Sequence, residues 1–407
     1  MAPTAMSQIP ESRLGITLLC LVLLFGAFLR VYPSAGLKYP GVDEMYYRHG
    51  VMFLVHNGFT SYPSLVRDYA KVQPTLPVAV IPPTRVTLIA AAFLWHQIFN
   101  TVPLISLRAI ACSATVLTVL VSALFIYRAV GLLAAIAVSA LLSCAPMQIQ
   151  LAQRAYVDGV FAFTAVLTIW LLWENMRGPS SLKWLVPYGA SIALMVVTKE
   201  SAAFVFVGIL SILACNRWLK IGEVGLNLVI ATFAGALAGA ATLVIAAGGL
   251  ATLIQVFQAN LSKAYVTPYV IQTGDGPWFR YILDLIAMSP LVTLLALAAL
   301  GRLSFQEAIG RYFALFLAVT YLLMSNLHYG ISLRYTAMWD LPLRWLAFTQ
   351  IVLMAASVPS RYRTIFIPVA VAVVCAVDLS HYCLFFVQNG TYDPSATEIL
   401  RQLNIVK

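Results

Sequence analysis

The feature that most constrains this chain is a run of apolar segments, each near the roughly 20 residues needed to cross the hydrocarbon core of a bilayer. They fall near 14–31, 104–127, 130–149, 157–174, 184–198, 200–217, 225–247, 281–300, 311–328, 337–357 and 364–387, which makes about eleven spans. Only 10% of the 407 residues are charged, against roughly 25% in a soluble domain. Mean hydropathy is +0.88, so lipid must serve as solvent for most of the chain. The first apolar run ends in Leu-Arg-Val-Tyr-Pro without a small-residue cleavage site. It therefore reads as a transmembrane helix and not as a removed signal peptide. The stretch 85–100 is apolar but short and carries His96 and Gln97, which predicts a juxtamembrane helix. The expected fold is thus all-α and integral to the membrane, a single module over 1–407. No soluble C-terminal domain is expected.

Short loops orient such a chain through their lysines and arginines. Arg128, Arg177 with Lys183, Arg217 with Lys220, Arg302 with Arg311, and Arg361 with Arg363 mark five tight connections. All five share one face if 85–100 does not cross. Arg13 joins them, so that face and the N-terminus read as cytoplasmic. The other face receives long loops at 32–103 and 248–280 and short ones near 150–156, 199–200 and 329–336. The formal net charge of +10 is dispersed over helix ends, with neither a basic stripe nor an aromatic platform, so no nucleic-acid partner is expected. Six cysteines, at 20, 112, 144, 215, 375 and 383, all lie within apolar segments without metal or redox spacing.

Drawn this way, the outer face collects Asp43, Glu44, Arg48, Arg67, Lys71, Arg85, Arg154, Asp158, Lys199, Glu200, Lys263 and Arg334 from distant parts of the sequence. Ionisable groups at membrane depth are costly and are usually paired or functional; the alternative is a residue snorkelling to water from a helix end. Asp43-Glu44 follows the first span and precedes Met-Tyr-Tyr-Arg. Adjacent carboxylates are common on solvated loops, but one held at a membrane surface can act as general base on a hydroxyl. Basic side chains nearby can hold a departing phosphate. In the loop 248–280, Gln258, Asn260, Lys263, Tyr265, Tyr269, Asp275 and Trp278 fit either an acceptor contact or the ordinary interfacial aromatic belt.

The motifs, taken in order, resemble a known family. Gly-Val-Asp-Glu-Met-Tyr-Tyr at 41–47, Ile-Pro-Pro-Thr at 81–84, Leu-Arg-Ala-Ile-Ala-Cys-Ser-Ala at 107–114, Gln-Arg-Ala-Tyr-Val-Asp at 153–158, Val-Thr-Lys-Glu-Ser at 197–201 and Leu-Arg-Tyr at 333–335 are similar to GT-C-fold membrane glycosyltransferases. The branch is that of the protein O-mannosyltransferases and aminoarabinose transferases. One departure is Ile81, where protein mannosyltransferases usually carry a histidine before the paired prolines. The resemblance implies a GT-C fold with juxtamembrane helices in the first outer loop. It also implies inverting transfer of a hexosyl or pentosyl unit from a polyprenyl-phosphate donor to a hydroxyl of a protein or glycolipid. In it Asp43 takes the general-base role with Glu44 positioning it, and Arg154, Lys199 and Arg334 are candidates for the donor phosphate. Asp158 becomes the second acidic residue, structural or metal-binding.

No cofactor is required by these patterns. A divalent cation on Asp158 and Glu44 with His49 or His328 is the metal alternative, since hard carboxylates suit magnesium or manganese. A lipid-linked-sugar transporter or flippase is the other functional class, but it predicts two related halves with polar residues near the midplane. The sequence has charges at helix ends on one face instead. The size of the chain and the lack of a soluble domain lead to the expectation of a bacterial inner-membrane protein with a periplasmic catalytic face.

Overall fold

A computed structural model describes residues 13–32, 40–179, 181–302, 307–327 and 330–391, and among these it contains helices and no strand. His328 and the tail after 391 lie outside the described residues. The first apolar run forms α1 (Arg13–Val31). Three helices follow before the next long one: α2 (Val42–Asn57), α3 (Tyr62–Val72) and α4 (Val86–Phe99). The last of these, in the segment 85–100, is apolar and has 14 residues, about 21 Å at 1.5 Å per residue.

The body continues as α5 (Pro103–Ala129), α6 (Leu132–Ser143), α7 (Pro146–Gln153), α8 (Val157–Arg177), α9 (Leu182–Thr198), α10 (Ala202–Leu219) and α11 (Leu226–Ala247). The segment 248–280 supplies α12 (Leu250–Ala264) and α13 (Pro268–Thr273). After it come α14 (Arg280–Met288), α15 (Pro290–Arg302), α16 (Ala308–Met324), α17 (Asp340–Ala356) and α18 (Ser360–Tyr382), with a 3₁₀ turn, Leu333–Trp339, leading into α17. Every expected span is helical. Among the described residues six helices are long and apolar enough to cross a membrane, and the bent pair α6–α7 would make a seventh. The remaining ones are shorter, so length and composition do not establish the expected eleven.

Two expected spans are broken, each at a proline. The segment 130–149 bends by 60° between α6 and α7, where Pro146 opens α7 and cannot continue the ladder of α6. The segment 281–300 breaks at Ser289, before Pro290. An interrupted helix leaves carbonyls without partners, which is costly away from water. At the end of α6 two buried arginines supply them. Arg30 donates to the Leu142 and Ser143 carbonyls at 3.0 and 3.1 Å, and Arg344 donates to Leu141 at 2.9 Å. Arg344 also holds Asp378 at 2.7 Å and Asp340. This ties α1, α6, α17 and α18 into one buried polar network.

Small residues let α9 and α11 approach closely, as membrane helices do. A Cβ on Gly235 would lie 2.5 Å from the Gly189 carbonyl, and one on Gly239 would lie 2.9 Å from that of Ala193.

The two ends of α5 mark the two ends of the bundle. At its C-terminus Arg128 binds Glu174 of α8 through two bonds of 2.6 and 2.8 Å. Arg177 donates to the Arg128 carbonyl, and Arg311 to that of Lys220. The basic connections of the sequence therefore gather at this end. The other end carries the site.

Candidate functional site

The loop and first turn of α2 place Asp43 and Glu44 side by side but give them different surroundings. Gly41 caps the helix, and its N–H donates to Glu44 Oε2 at 2.7 Å in a capping box. Glu44 points inward and is fully buried. Its Oε1 accepts from Arg108 Nε at 2.8 Å and from the Ala155 N–H at 3.0 Å. Its Oε2 also accepts from Arg108 Nη2 at 3.1 Å and Arg154 Nη1 at 3.3 Å. Burial by itself raises the carboxyl pKa. Arg108 and the N–H groups of Ala155 and Gly41 outweigh it and hold Glu44 below the usual carboxylate range. Glu44 is thus a charged hub joining α2 to the start of α5 and to the α7–α8 turn.

Asp43 remains half-buried, with its side chain 19% exposed and Oδ2 2.5 Å from Arg334 Nη1. Arg334 comes from the 3₁₀ turn before α17 and lies over the Tyr156 ring at 4.8 Å. Beside them the first turn of α8 contributes Asp158, which meets Lys199 Nζ at 2.5 Å. Lys199, at the C-terminus of α9, is 2% exposed and sits 3.4 Å from the centroid of Tyr335. Asp158 is within electrostatic reach of Arg334 and Arg85 as well. Arg85 donates to Tyr47 Oη at 2.5 Å and pairs with Glu200 at 2.7 Å. Five ion pairs here join Glu44, Asp43, Asp158 and Glu200 to Arg108, Arg154, Arg334, Lys199 and Arg85. These four carboxylates and five cations leave one positive charge in excess, a setting that favours an anionic ligand.

The sequence-predicted residues Asp43, Glu44, Arg154, Asp158, Lys199 and Arg334 therefore all reach one end of the bundle. Their partnerships differ from the expectation in two respects. Arg154, a candidate for the donor phosphate, is turned onto Glu44. Asp158 is matched by an ammonium group and not left as a ligand for a metal. Among the described residues no three histidine, cysteine, aspartate or glutamate side chains come together as a metal site. The residues do not fit a divalent cation, because each carboxylate already faces a guanidinium or ammonium that would repel it. His49 is exposed on α2.

Sequence reasoning passed over Arg108, which lies in the second turn of an otherwise apolar helix. A charge in that position was itself a signal. It also left Tyr47 and Tyr335 without a role, although the Tyr47 hydroxyl accepts from Arg85 and the Tyr335 ring faces Lys199.

Residues 89–256, less than half of the chain, match the family model described as dolichyl-phosphate-mannose-protein mannosyltransferase. No curated protein matches this chain in sequence. Among solved structures, the Archaeoglobus fulgidus oligosaccharyltransferase tethered with an acceptor peptide is similar over 91% of this chain and 55% of its own, with TM-score 0.61 and 14% identity. The same archaeal enzyme, AglB, with an inhibitory peptide and a dolichol-phosphate, gives TM-score 0.56 at 15% identity over 95% of this chain and 57% of its own. ArnT from Cupriavidus metallidurans in the apo state gives TM-score 0.51 at 14% identity, covering 91% of this chain and 75% of its own. The chain thus spans about half the length of the oligosaccharyltransferase it matches. At these identities the likeness shows the fold. The resemblance read from the sequence is borne out, for this chain has the GT-C fold and carries over 89–256 the pattern of the dolichyl-phosphate-mannose-protein mannosyltransferase family.

Proposed function

We propose that the protein is an inverting glycosyltransferase that moves a sugar from a polyprenyl-phosphate donor to an acceptor hydroxyl at the outer face of the membrane. The observation that carries this reading is the contrast between two neighbouring carboxylates. Glu44 is saturated by five donor contacts, whereas Asp43 is half-open beside Arg334. The matched family and a structural relative that held a dolichol-phosphate support the donor class.

Asp43 takes the proton from the acceptor hydroxyl as its oxygen bonds to the anomeric carbon. The bond from that carbon to the donor phosphate oxygen breaks, and the polyprenyl phosphate leaves. Its growing charge needs fixed cations. Arg334 and Lys199 supply them, with Arg85 behind. A guanidinium carries five N–H donors, so Arg334 can hold Asp43 and a phosphate oxygen at once. Phosphate is a good leaving group, so no second carboxylic acid is needed. Glu44 and Arg154 are positioning residues that fix the start of α2, and Asp158 keeps Lys199 charged and oriented.

The test is transfer of labelled sugar from a polyprenyl-phosphate donor by the purified full chain in lipid nanodiscs. Asp43→Asn preserves shape and is expected to lower transfer by at least about 10²-fold, the lower end of general-base contributions, with unchanged melting. Full activity in Asp43→Asn would sink the assignment. Mass spectrometry of co-purified lipid is expected to find a polyprenyl phosphate.

A further inference from the structure

A cavity of about 670 Å³ opens beside the site, between α2, α3 and the loop 76–83. That size is within the range of small-molecule sites. Its lining is apolar and aromatic, with Phe53, Leu65, Ile81 and Ile89 among its walls and Tyr47 at the side shared with the Arg85 cluster. Among the described residues no lysine or arginine lines it, so it has nothing to offer a phosphate or another anionic headgroup. His49 and Asp68 stand exposed at its mouth.

The cavity is already built. Tyr69 Oη donates to the Val80 carbonyl at 2.8 Å, Tyr62 Oη to that of Pro83 at 2.7 Å, and Gln73 Nε2 to that of Val78 at 2.9 Å. The Val80 N–H returns a bond to Gln73 Oε1 at 3.1 Å. From the second outer loop, Lys263 holds the Pro74 and Leu76 carbonyls, and Thr267 accepts from the Ala79 N–H. These bonds fix the loop wall and occupy several of its backbone carbonyls.

The mostly apolar side chains of the wall decide what can enter. An extended peptide would bury amides and carbonyls with few partners, a cost that an apolar chain does not meet. The position decides which substrate it is. The helix that presents Asp43 also supplies the cavity wall from Met45 onward, with Tyr46 and Tyr47 three and four residues after Asp43. The cations assigned to the donor come from other elements.

We infer, resting on the transferase reading above, that this cavity is the acceptor subsite and that the acceptor is an uncharged lipid alcohol. Its hydroxyl lies at Asp43 and its apolar chain lies in the cavity. The chemistry is the same displacement: the alcohol loses its proton to Asp43, bonds to the anomeric carbon and releases the polyprenyl phosphate.

The full chain in nanodiscs is given one polyprenyl-phosphate sugar and a series of 1-alkanols from methanol to decanol. A peptide containing serine and threonine serves as the competing class. Specificity, kcat/KM, is expected to rise about three- to fourfold per added methylene until the cavity is full. Ile81→Trp is expected to bring the decanol-to-methanol ratio close to one. Ile81→Ala, which can only widen the cavity, is expected to move the plateau to longer alkanols, and it covers the case in which the tryptophan variant does not fold. A flat chain-length profile in the unaltered protein, or a peptide preferred over every alkanol, would overturn the inference while leaving the transferase reading intact. So would an Ile81→Trp variant that raises the donor KM and keeps the alkanol slope, since the cavity would then hold the prenyl chain. Absence of both transfer and sugar release to water would overturn the transferase reading, and this inference with it.

Discussion

Glu44→Gln separates a structural hub from a catalytic carboxylate. The substitution keeps the size of the side chain but removes its charge and replaces one acceptor oxygen with a donor. Three contacts converge on Oε2, from Gly41 N, Arg108 Nη2 and Arg154 Nη1. Two converge on Oε1, from Arg108 Nε and Ala155 N. Whichever way the glutamine amide lies, its N–H₂ meets at least two of these donors, and two guanidinium groups lose their counter-charge. Removing one partner of a buried ion pair costs about 3–5 kcal/mol, and that is the expected loss. The assay is thermal unfolding in detergent, with Asp43→Asn measured alongside. Glu44→Gln is expected to melt well below the unaltered protein, and Asp43→Asn close to it. The pH dependence follows from the depressed Glu44 pKa. A carboxyl whose folded pKa lies below its unfolded value, roughly 4.3 for glutamate, contributes stability that is fully present above the unfolded value. That contribution is lost as pH falls through the folded one. The difference between Glu44→Gln and the unaltered protein should therefore be constant from pH 6 to 8 and shrink only in acid. Equal melting of Glu44→Gln and the unaltered protein at neutral pH would refute the hub argument.

Three further substitutions test separate parts of the structure. Lys199→Ala strands Asp158 and is expected to lose transfer together with about 3–5 kcal/mol of stability. Replacing both members, Lys199→Met with Asp158→Leu, should return melting to within about 1 kcal/mol without restoring transfer; a double variant that regains transfer removes Lys199 from the donor site. Arg344→Leu leaves Asp340 and Asp378 buried without their guanidinium and uncaps Leu141, so melting should fall by a similar about 3–5 kcal/mol, and an unchanged melting temperature would contradict the network. Gly248 has φ +74° and its missing Cβ would sit 2.9 Å from Arg67 Nη1 and Pro63 Cβ, so Gly248→Ala should cost about 1 kcal/mol or more, read by the same unfolding assay.

The apolar helical segments were legible because length and hydropathy are local properties of a sequence. The gathering of Asp43, Asp158, Lys199 and Arg334 at one end was legible through topology, since alternation of spans forces distant helix ends together. Pairing within that end was not legible. Arg154 could meet either an outside phosphate or Glu44, and only the α7–α8 turn decides for Glu44. Arg108 stood in the motif 107–114, but nothing in that motif paired it with Glu44. The breaks at Ser289 and between α6 and α7 were marked by Pro290 and Pro146. Many membrane helices tolerate proline, so neither proline alone told a bend from a straight span. The carbonyl caps from Arg30 and Arg344 bridge more than 100 and 200 residues of sequence, and no local pattern encodes such a match.

These distant matches bear on catalysis because they lead to the proposed base. The break after α6 is held by Arg30 and Arg344, which fixes where α7 starts and how it is aimed. At its far end, Gln153 donates to the Leu29 and Tyr32 carbonyls of the α1 terminus and accepts from Tyr382 of α18. The next two residues, Arg154 and Ala155, bind Glu44, and Glu44 precedes nothing flexible: it is the third residue of α2, directly after Asp43. Each link is a hydrogen bond or ion pair, most of them between buried groups, so the half-open carboxylate is mounted on a continuous path rooted in the membrane. Small errors in the placement of a general base are costly in rate. A loop carboxylate on a soluble surface would lack such a mounting, whereas here the bent span α6–α7 provides it. The bend is therefore part of the site, even though none of its residues needs to touch substrate.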